Sequence, residues 1–156
     1  DSGVYGYSDG MGYKFDDSWK WNTDVKTLIL LVQVDNVTSN PSTRFQQAQF
    51  QIRFSGSNLQ VYDNAARTSS LAGSSNTWHI VSCRTDDNIV LGLDKSYENV
   101  KITSPNLSTA NFSLFLSGNP VTSFKGKFRE VLIYEDSISD SNLDDVSDWL
   151  TDKWGL

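Results

Sequence analysis

The sequence predicts an all-β domain, an antiparallel jelly-roll β-sandwich with one C-terminal α-helix. Three observations predict it. Short runs rich in β-branched and aromatic residues recur along the chain, separated by clusters of Gly, Asn, Asp and Ser. Two of these runs, 26–35 throughout and 127–134 in its second half, are apolar on both faces and need cover on both sides. A single segment, after Ile138, places its apolar residues at helical spacing. At 156 residues the chain reads as one domain, residues 1–156, long enough to bury about 70% of its unfolded surface.

Asp1 to Asn22 is rich in Gly, Tyr and Asp, with short alternating pieces at Val4–Tyr7 and Tyr13–Phe15. Gly3, Gly6, Gly10 and Gly12 lack the strand-then-helix context of a phosphate loop, so they read as turns. Lys26 to Asp35 (KTLILLVQVD) is a central, covered strand, and Asn36 to Thr43 is a loop. Gln49 to Phe54 alternates: Phe50, Ile52 and Phe54 point one way, Gln49, Gln51 and Arg53 the other. Ser55 to Asn58 turns the chain and Leu59 to Asp63 returns it, making a hairpin with a polar outer face. Trp78–Arg84 and Ile89–Asp94 form a second hairpin across Asp86, Asp87 and Asn88. Phe112 to Ser117 is a further strand, and Lys127 to Tyr134 is the last. Roughly eight to ten strands with turns between them, and no internal repeat, favour a sandwich or jelly roll over a parallel barrel.

The closing segment is an amphipathic helix of about 14 residues, close to the usual length. Leu143, Val146, Trp149, Leu150 and Trp154 form its apolar stripe, with Asp144, Asp145, Asp148 and Asp152 on the other face. Ser139 caps the start, Asp140 suits the positive end of the dipole, and Gly155 stands where a helix stops. Gly126, the Glu130–Tyr134 run (EVLIY), Ile138–Ser139, Leu150 and the Lys153–Leu156 ending (KWGL) together resemble the C-terminal signature of concanavalin A-like, laminin-G-like jelly-roll domains. The run Trp78–Ser82 followed by the Ile89–Asp94 strand is similar to the middle of the same family, where the tryptophan is commonly part of the core. The resemblance implies a fold much more than a function.

Net charge is −6 with no basic run, which argues against nucleic acid and anionic membranes as partners, although acidity also simply keeps a domain soluble. No apolar run reaches membrane-span length and no signal peptide is visible, so membrane insertion is not expected. The first residue is Asp1 instead of methionine, which reads as a processed product or an excised domain. Cys83 is the only cysteine and His79 the only histidine. An intramolecular disulfide and a Cys/His zinc set are therefore excluded. Both residues read as ordinary strand positions, His79 satisfied by its neighbours and Cys83 as a small buried side chain.

Some relatives in the resembling family hydrolyse glycans with carboxylates in an E-x-D-x-x-E pattern. Here Glu130, Glu135 and Asp136 come nearest, but Leu132 stands where an acid is needed. Alternation also sets Glu130 and Glu135 on opposite faces, so they cannot flank one glycosidic bond. The chain is read as not an enzyme. Calcium is the one candidate cofactor, since many relatives bind it and Asp16, Asp17, Asp86 and Asp87 sit in loops, as do the pairs Asp35–Asn36 and Asp63–Asn64. No D-x-[DN]-x-[DN]-G loop is present, and such residues are also ordinary turn formers.

Glycan recognition uses aromatic faces for sugar C–H groups and amide, carboxylate or guanidinium groups for hydroxyls. Gln49, Gln51, Arg53, Gln60 and Tyr62 offer that set on one hairpin, with Asp63 and Asn64 at its end and Trp19 or Trp21 nearby; a merely solvated outer face is the alternative. The expected function is a non-catalytic, lectin-like or adhesion module on an extracellular or virion surface, with a glycan or cell-surface polysaccharide as partner. The runner-up is a structural or decoration protein bound to other subunits of a surface or virion assembly, and a glycoside hydrolase of the same fold is third. Asn36-Val-Thr, Asn106-Leu-Ser and Asn111-Phe-Ser are N-glycosylation sequons; a chain this rich in Asn, Ser and Thr holds several by chance, and they matter only in a eukaryotic source.

Overall fold

The computed structural model describes residues 5–7, 13–14, 25–38, 50–63, 65–85, 88–100, 113–114 and 124–156. Its strands are β1 (Tyr5–Tyr7), β2 (Tyr13–Lys14), β3 (Thr27–Val34), β4 (Phe50–Ser55), β5 (Asn58–Asp63), β6 (Ala66–Ala72), β7 (Trp78–Thr85), β8 (Ile89–Leu93), β9 (Ser96–Asn99), β10 (Ser113–Leu114) and β11 (Gly126–Tyr134). The helix α1 spans Asp140–Trp154. One sheet has six strands in the order β1-β11-β3-β7-β8-β9, a second has three in the order β4-β5-β6, and β10 pairs with β2. Every pairing is antiparallel. The sandwich with one C-terminal helix is therefore observed.

Strand alternation distributes the apolar residues between two cores. On β3, Leu28, Leu30, Val32 and Val34 enter the space between the sheets, where they meet Phe50, Ile52, Phe54, Leu59 and Val61 from the small sheet. Ile29 and Leu31 point the opposite way, to Ile80, Leu143 and Leu150 under the helix. The covered strand expected at 26–35 thus has one face in the sandwich and one beneath α1.

A bulge between Phe128 and Glu130 changes the phase of β11. Phe128 belongs to the sandwich core, yet Val131 and Ile133 pack there too, while Leu132 and Tyr134 turn to the helix. The one extra residue, Arg129, moves Glu130 to the helix side of the sheet. Gly126 opens this strand at φ +151°, and a Cβ built there would lie 2.1 Å from the Gln33 carbonyl oxygen. Only a residue without a side chain fits that approach of two backbones.

The helix ends fall where local chemistry sets them. The Ser139 hydroxyl accepts the Asn142 N–H at 3.2 Å, and Gly155 adopts the left-handed conformation at φ 63°. The acidic face is more than a solvated one. Asp140 pairs with Arg84 and Asp148 with Lys95, and Asp144 accepts the Tyr97 hydroxyl at 2.7 Å. These contacts fasten the helix to β7, β9 and the turn between β8 and β9.

Of the eleven strands among the described residues, two lie outside the sequence expectation. β6 (ARTSSLA) and β9 (SYEN) carry few apolar residues, so no alternation marks them. Neighbours supply their strand state. Ser69 on β6 donates to the Leu59 carbonyl at 2.7 Å, and Glu98 on β9 accepts both the Ser70 N–H and hydroxyl, at 2.7 and 2.6 Å. That carboxylate bridges the small sheet to the edge of the large one, and the two Ser70 bonds hold its pKa below the usual range. Trp78 is half-buried and packs against the core beneath the helix.

Candidate functional site

The outward face of the three-stranded sheet gathers the described part of the predicted ligand set. Register places Arg53 opposite Gln60 and Gln51 opposite Tyr62, and the β5–β6 pairing sets Gln60 opposite Thr68. With Phe50, Ile52 and Phe54 fully buried on the inner face, alternation obliges Gln51 and Arg53 to point outward.

Hydrogen bonds connect these side chains into one row across the sheet. Arg53 Nε donates to Gln60 Oε1 at 2.6 Å, and Arg53 Nη1 donates to Gln51 Oε1 at 3.3 Å. Gln60 Nε2 donates in turn to Thr68 Oγ1 at 2.6 Å. The Arg53 guanidinium lies 4.7 Å from the centre of the Tyr62 ring. Stacking and two amide acceptors hold the guanidinium plane in a defined orientation. Gln60, only 4% exposed, is locked with its oxygen toward Arg53 and its nitrogen toward Thr68.

The structure therefore brings Gln51, Arg53, Gln60 and Tyr62 of the expected set together on one face, a convergence that the sequence left open. Thr68 belongs to the same row and was missed, because it comes from β6, which carries no apolar alternation. Trp19, Trp21, Gln49 and Asn64 lie outside the described residues, and so do the side chain of Asp63 and the calcium candidates Asp16, Asp17, Asp86 and Asp87. Among the described residues, no group of three or more His, Cys, Asp or Glu side chains is arranged to hold a metal ion.

Of the three acids weighed for catalysis, Glu130 has structural partners. Its carboxylate receives Lys153 Nζ and, at 3.3 Å, Trp154 Nε1, so it binds the KWGL segment to β11. Glu135 and Asp136 are exposed beyond the end of that strand. His79 is buried and also partnered. Its Nδ1 lies 2.6 Å from an Asp94 carboxylate oxygen, and its Nε2 accepts the Ser74 N–H at 2.9 Å. Asp94 raises the His79 pKa above its ordinary value, partly offset by burial. The contact to Ser74 is through backbone, so among the described residues no serine hydroxyl is set against the ring.

Among the described residues, two open clefts flank the helix on the opposite side of the six-stranded sheet from β4, β5 and β6. One, of about 270 Å³, is lined by Trp78, Ile80, Asp94, Lys95, Ser147, Thr151 and Leu156. The other, of about 380 Å³, is lined by Leu132, Tyr134, Asp145, Val146 and Trp149. Trp149 is 48% exposed there.

No protein-family model and no curated protein matches the sequence. Solved structures do share the fold. Domain 4 of the extracellular arabinanase AbnA from Geobacillus stearothermophilus, solved in complex with arabinotriose, aligns with a TM-score of 0.67 at 16% identity, over 87% of this chain and 72% of that one. A SAP-like pentraxin from Limulus polyphemus aligns with a TM-score of 0.66 at 8% identity, over 92% of this chain and 80% of that one. The CBM40 domain of a Ruminococcus gnavus IT-sialidase, bound to α2,3-sialyllactose, aligns with a TM-score of 0.65 at 14% identity, over 92% and 96%. At these identities the likeness is one of fold, and the fold is the jelly-roll β-sandwich that the resemblance to concanavalin A-like domains implies.

Proposed function

We propose that this chain is a non-catalytic carbohydrate-binding module acting outside the cell or on a virion surface, and that it engages its glycan on the outward face of β4, β5 and β6. The observation that carries this reading is the ordered row Gln51–Arg53–Gln60–Thr68 with the Arg53 guanidinium laid on Tyr62. A fixed guanidinium offers directed N–H donors to sugar hydroxyls or to a sugar carboxylate, amides supply both donor and acceptor, and the tyrosine supplies an apolar surface. Two proteins of the same fold, the arabinanase domain and the sialidase CBM40, are solved with glycans bound, which supports the ligand class. Calcium is proposed as an accessory ion held by Asp16, Asp17, Asp86 and Asp87.

A glycan array that includes arabinan fragments and sialylated oligosaccharides, run with calcium and again with chelator, tests the proposal. The wild-type domain binds a defined set of glycans. Arg53→Ala weakens that binding about 10- to 100-fold, as expected for loss of charge-assisted hydrogen bonds, while its circular dichroism stays unchanged. Loss of binding in chelator assigns the ion a part in the site. A blank array, or equal affinity in a folded Arg53→Ala, overturns this assignment. After a blank array the structural reading stands ahead, supported by the exposed Trp149 beside an apolar cleft, whereas equal affinity in Arg53→Ala moves the glycan to another face.

A further inference from the structure

We propose that Asn36 is an acceptor for N-linked glycosylation, a covalent modification independent of the carbohydrate-binding reading. The sequence holds three sequons, and the structure describes one of them, Asn36-Val37-Thr38, where β3 ends. Its middle residue is the anchor: Val37 is 2% exposed in the sandwich core, and its N–H donates to the Ser75 hydroxyl at 3.1 Å. The residues on either side are both exposed. Core packing of Val37 therefore turns the acceptor and the hydroxyl residue outward together.

The local geometry joins the two chemical parts of the sequon. The Thr38 N–H and the Thr38 hydroxyl each donate to Asn36 Oδ1 at 2.9 Å. Both bonds go to the amide oxygen and fix the plane of the carboxamide relative to the hydroxyl. Such an Asx turn forms from nearest neighbours alone, so the unfolded chain visits it before the sheet exists. This matters because the modification is made on chain entering a secretory compartment. The donor is a lipid-linked glycosyl pyrophosphate. Asn36 Nδ2 bonds to the anomeric carbon, the bond from that carbon to the pyrophosphate oxygen breaks, the pyrophosphate leaves with the electron pair, and the amide proton passes to a base on the transferase. The attached glycan extends from an exposed turn and displaces nothing from either core, so glycosylation and folding are compatible.

The test is secretion of Asp1–Leu156 behind a signal peptide from a eukaryotic cell. Glycosidase treatment in ¹⁸O water and peptide mass spectrometry then read occupancy at position 36. The expected result is a glycan on Asn36 of the folded, secreted protein. Thr38→Ala abolishes it, Thr38→Ser retains most of it, and the melting temperature changes by no more than a few degrees on glycan removal. Thr38 is exposed, so these variants test the sequon with little disturbance of the core. An unmodified Asn36 in secreted, folded wild type overturns the proposal, even if Asn106 or Asn111 is occupied. A modified Thr38→Ala overturns the part assigned to the hydroxyl.

Discussion

His79 shows how far a single residue can be read before its neighbours are known. The sequence places it on a strand next to Trp78 and predicts that it is satisfied. What satisfies it comes from the β8–β9 turn, where Asp94 and Lys95 both adopt left-handed backbone, at φ 48° and 64°. That two-residue turn brings the Asp94 carboxylate to His79 Nδ1 and to the Ile80 N–H, at 2.6 and 2.8 Å. Because the folded state raises the His79 pKa, it binds a proton more tightly than the unfolded chain does. The resulting stabilisation is fully present below about pH 6.5, the unfolded value, and is lost as pH rises through the folded value. On protonation the Ser74 carbonyl, 3.2 Å from Nε2, replaces the Ser74 N–H as the ring's partner. Urea unfolding of wild type and Asp94→Asn between pH 5 and 8.5 checks this, since asparagine keeps the left-handed turn. The wild-type advantage is expected to be about 1 kcal/mol larger at pH 5.5 than at pH 8.5, a charge-assisted bond discounted for a half-exposed carboxylate. A pH-independent difference would show that His79 stays neutral throughout. Among the site residues, Gln51, Arg53 and Tyr62 were legible for a local reason, since alternation along each strand fixes their facing. Thr68 was not, because its place in the row is fixed by pairing across β5 and by nothing in its own segment.

At the scale of elements, α1 and β11 were the most legible parts of the chain, and the reason is again local. Caps, helical period and the two-faced apolar run are all written within thirty residues of one another. The contacts that give the KWGL ending its structural purpose are less local. Arg129, the bulged residue, lies between two indole rings, 4.3 Å from the Trp78 centre and 5.0 Å from the Trp154 centre. Lys153 covers Trp149 at 4.5 Å and Trp154 at 5.5 Å, and pairs with Glu130. Alternating cations and aromatic rings thus bind the last turn of the helix to β11 and β7. Trp154→Ala is expected to lower the unfolding free energy by about 2 kcal/mol, below the value for a fully buried tryptophan because this one is half-buried. Glu130→Ala costs about 1 kcal/mol, and the double variant costs less than the sum because both changes undo one contact. Chemical denaturation of the three variants measures this. A stability-neutral Glu130→Ala would instead leave that carboxylate unaccounted for and reopen the hydrolase reading. β6 and β9 lie at the other extreme, with sequences that acquire strand geometry only from the strands beside them.

Across the whole molecule, two apolar layers lie on either side of the six-stranded sheet, and β3 and β7 contribute to both. Native-state hydrogen exchange is expected to follow that arrangement. Amides of Leu28–Val32 and Ile80–Cys83 exchange only through global unfolding, and those of Ser96–Asn99, on an edge strand, exchange at least about 100-fold faster. Uniform protection across the six strands would mean that the sheet opens as one unit. The sequence announced that the central strands are covered on both sides but not which element covers which face. A period of two separates faces without naming their neighbours, and only the register of distant strands decides that. Strand order has a further consequence for synthesis. β3 is flanked on one side by β11 and on the other by β7, so its hydrogen-bonding edge and part of its cover arrive with the C-terminal segment. A nascent chain that has emerged only as far as β8 holds a sheet with an open, apolar margin, a template for pairing with other chains. Closure waits until the segment carrying β11 and α1 has left the ribosome, so a chain interrupted before that segment is prone to aggregate.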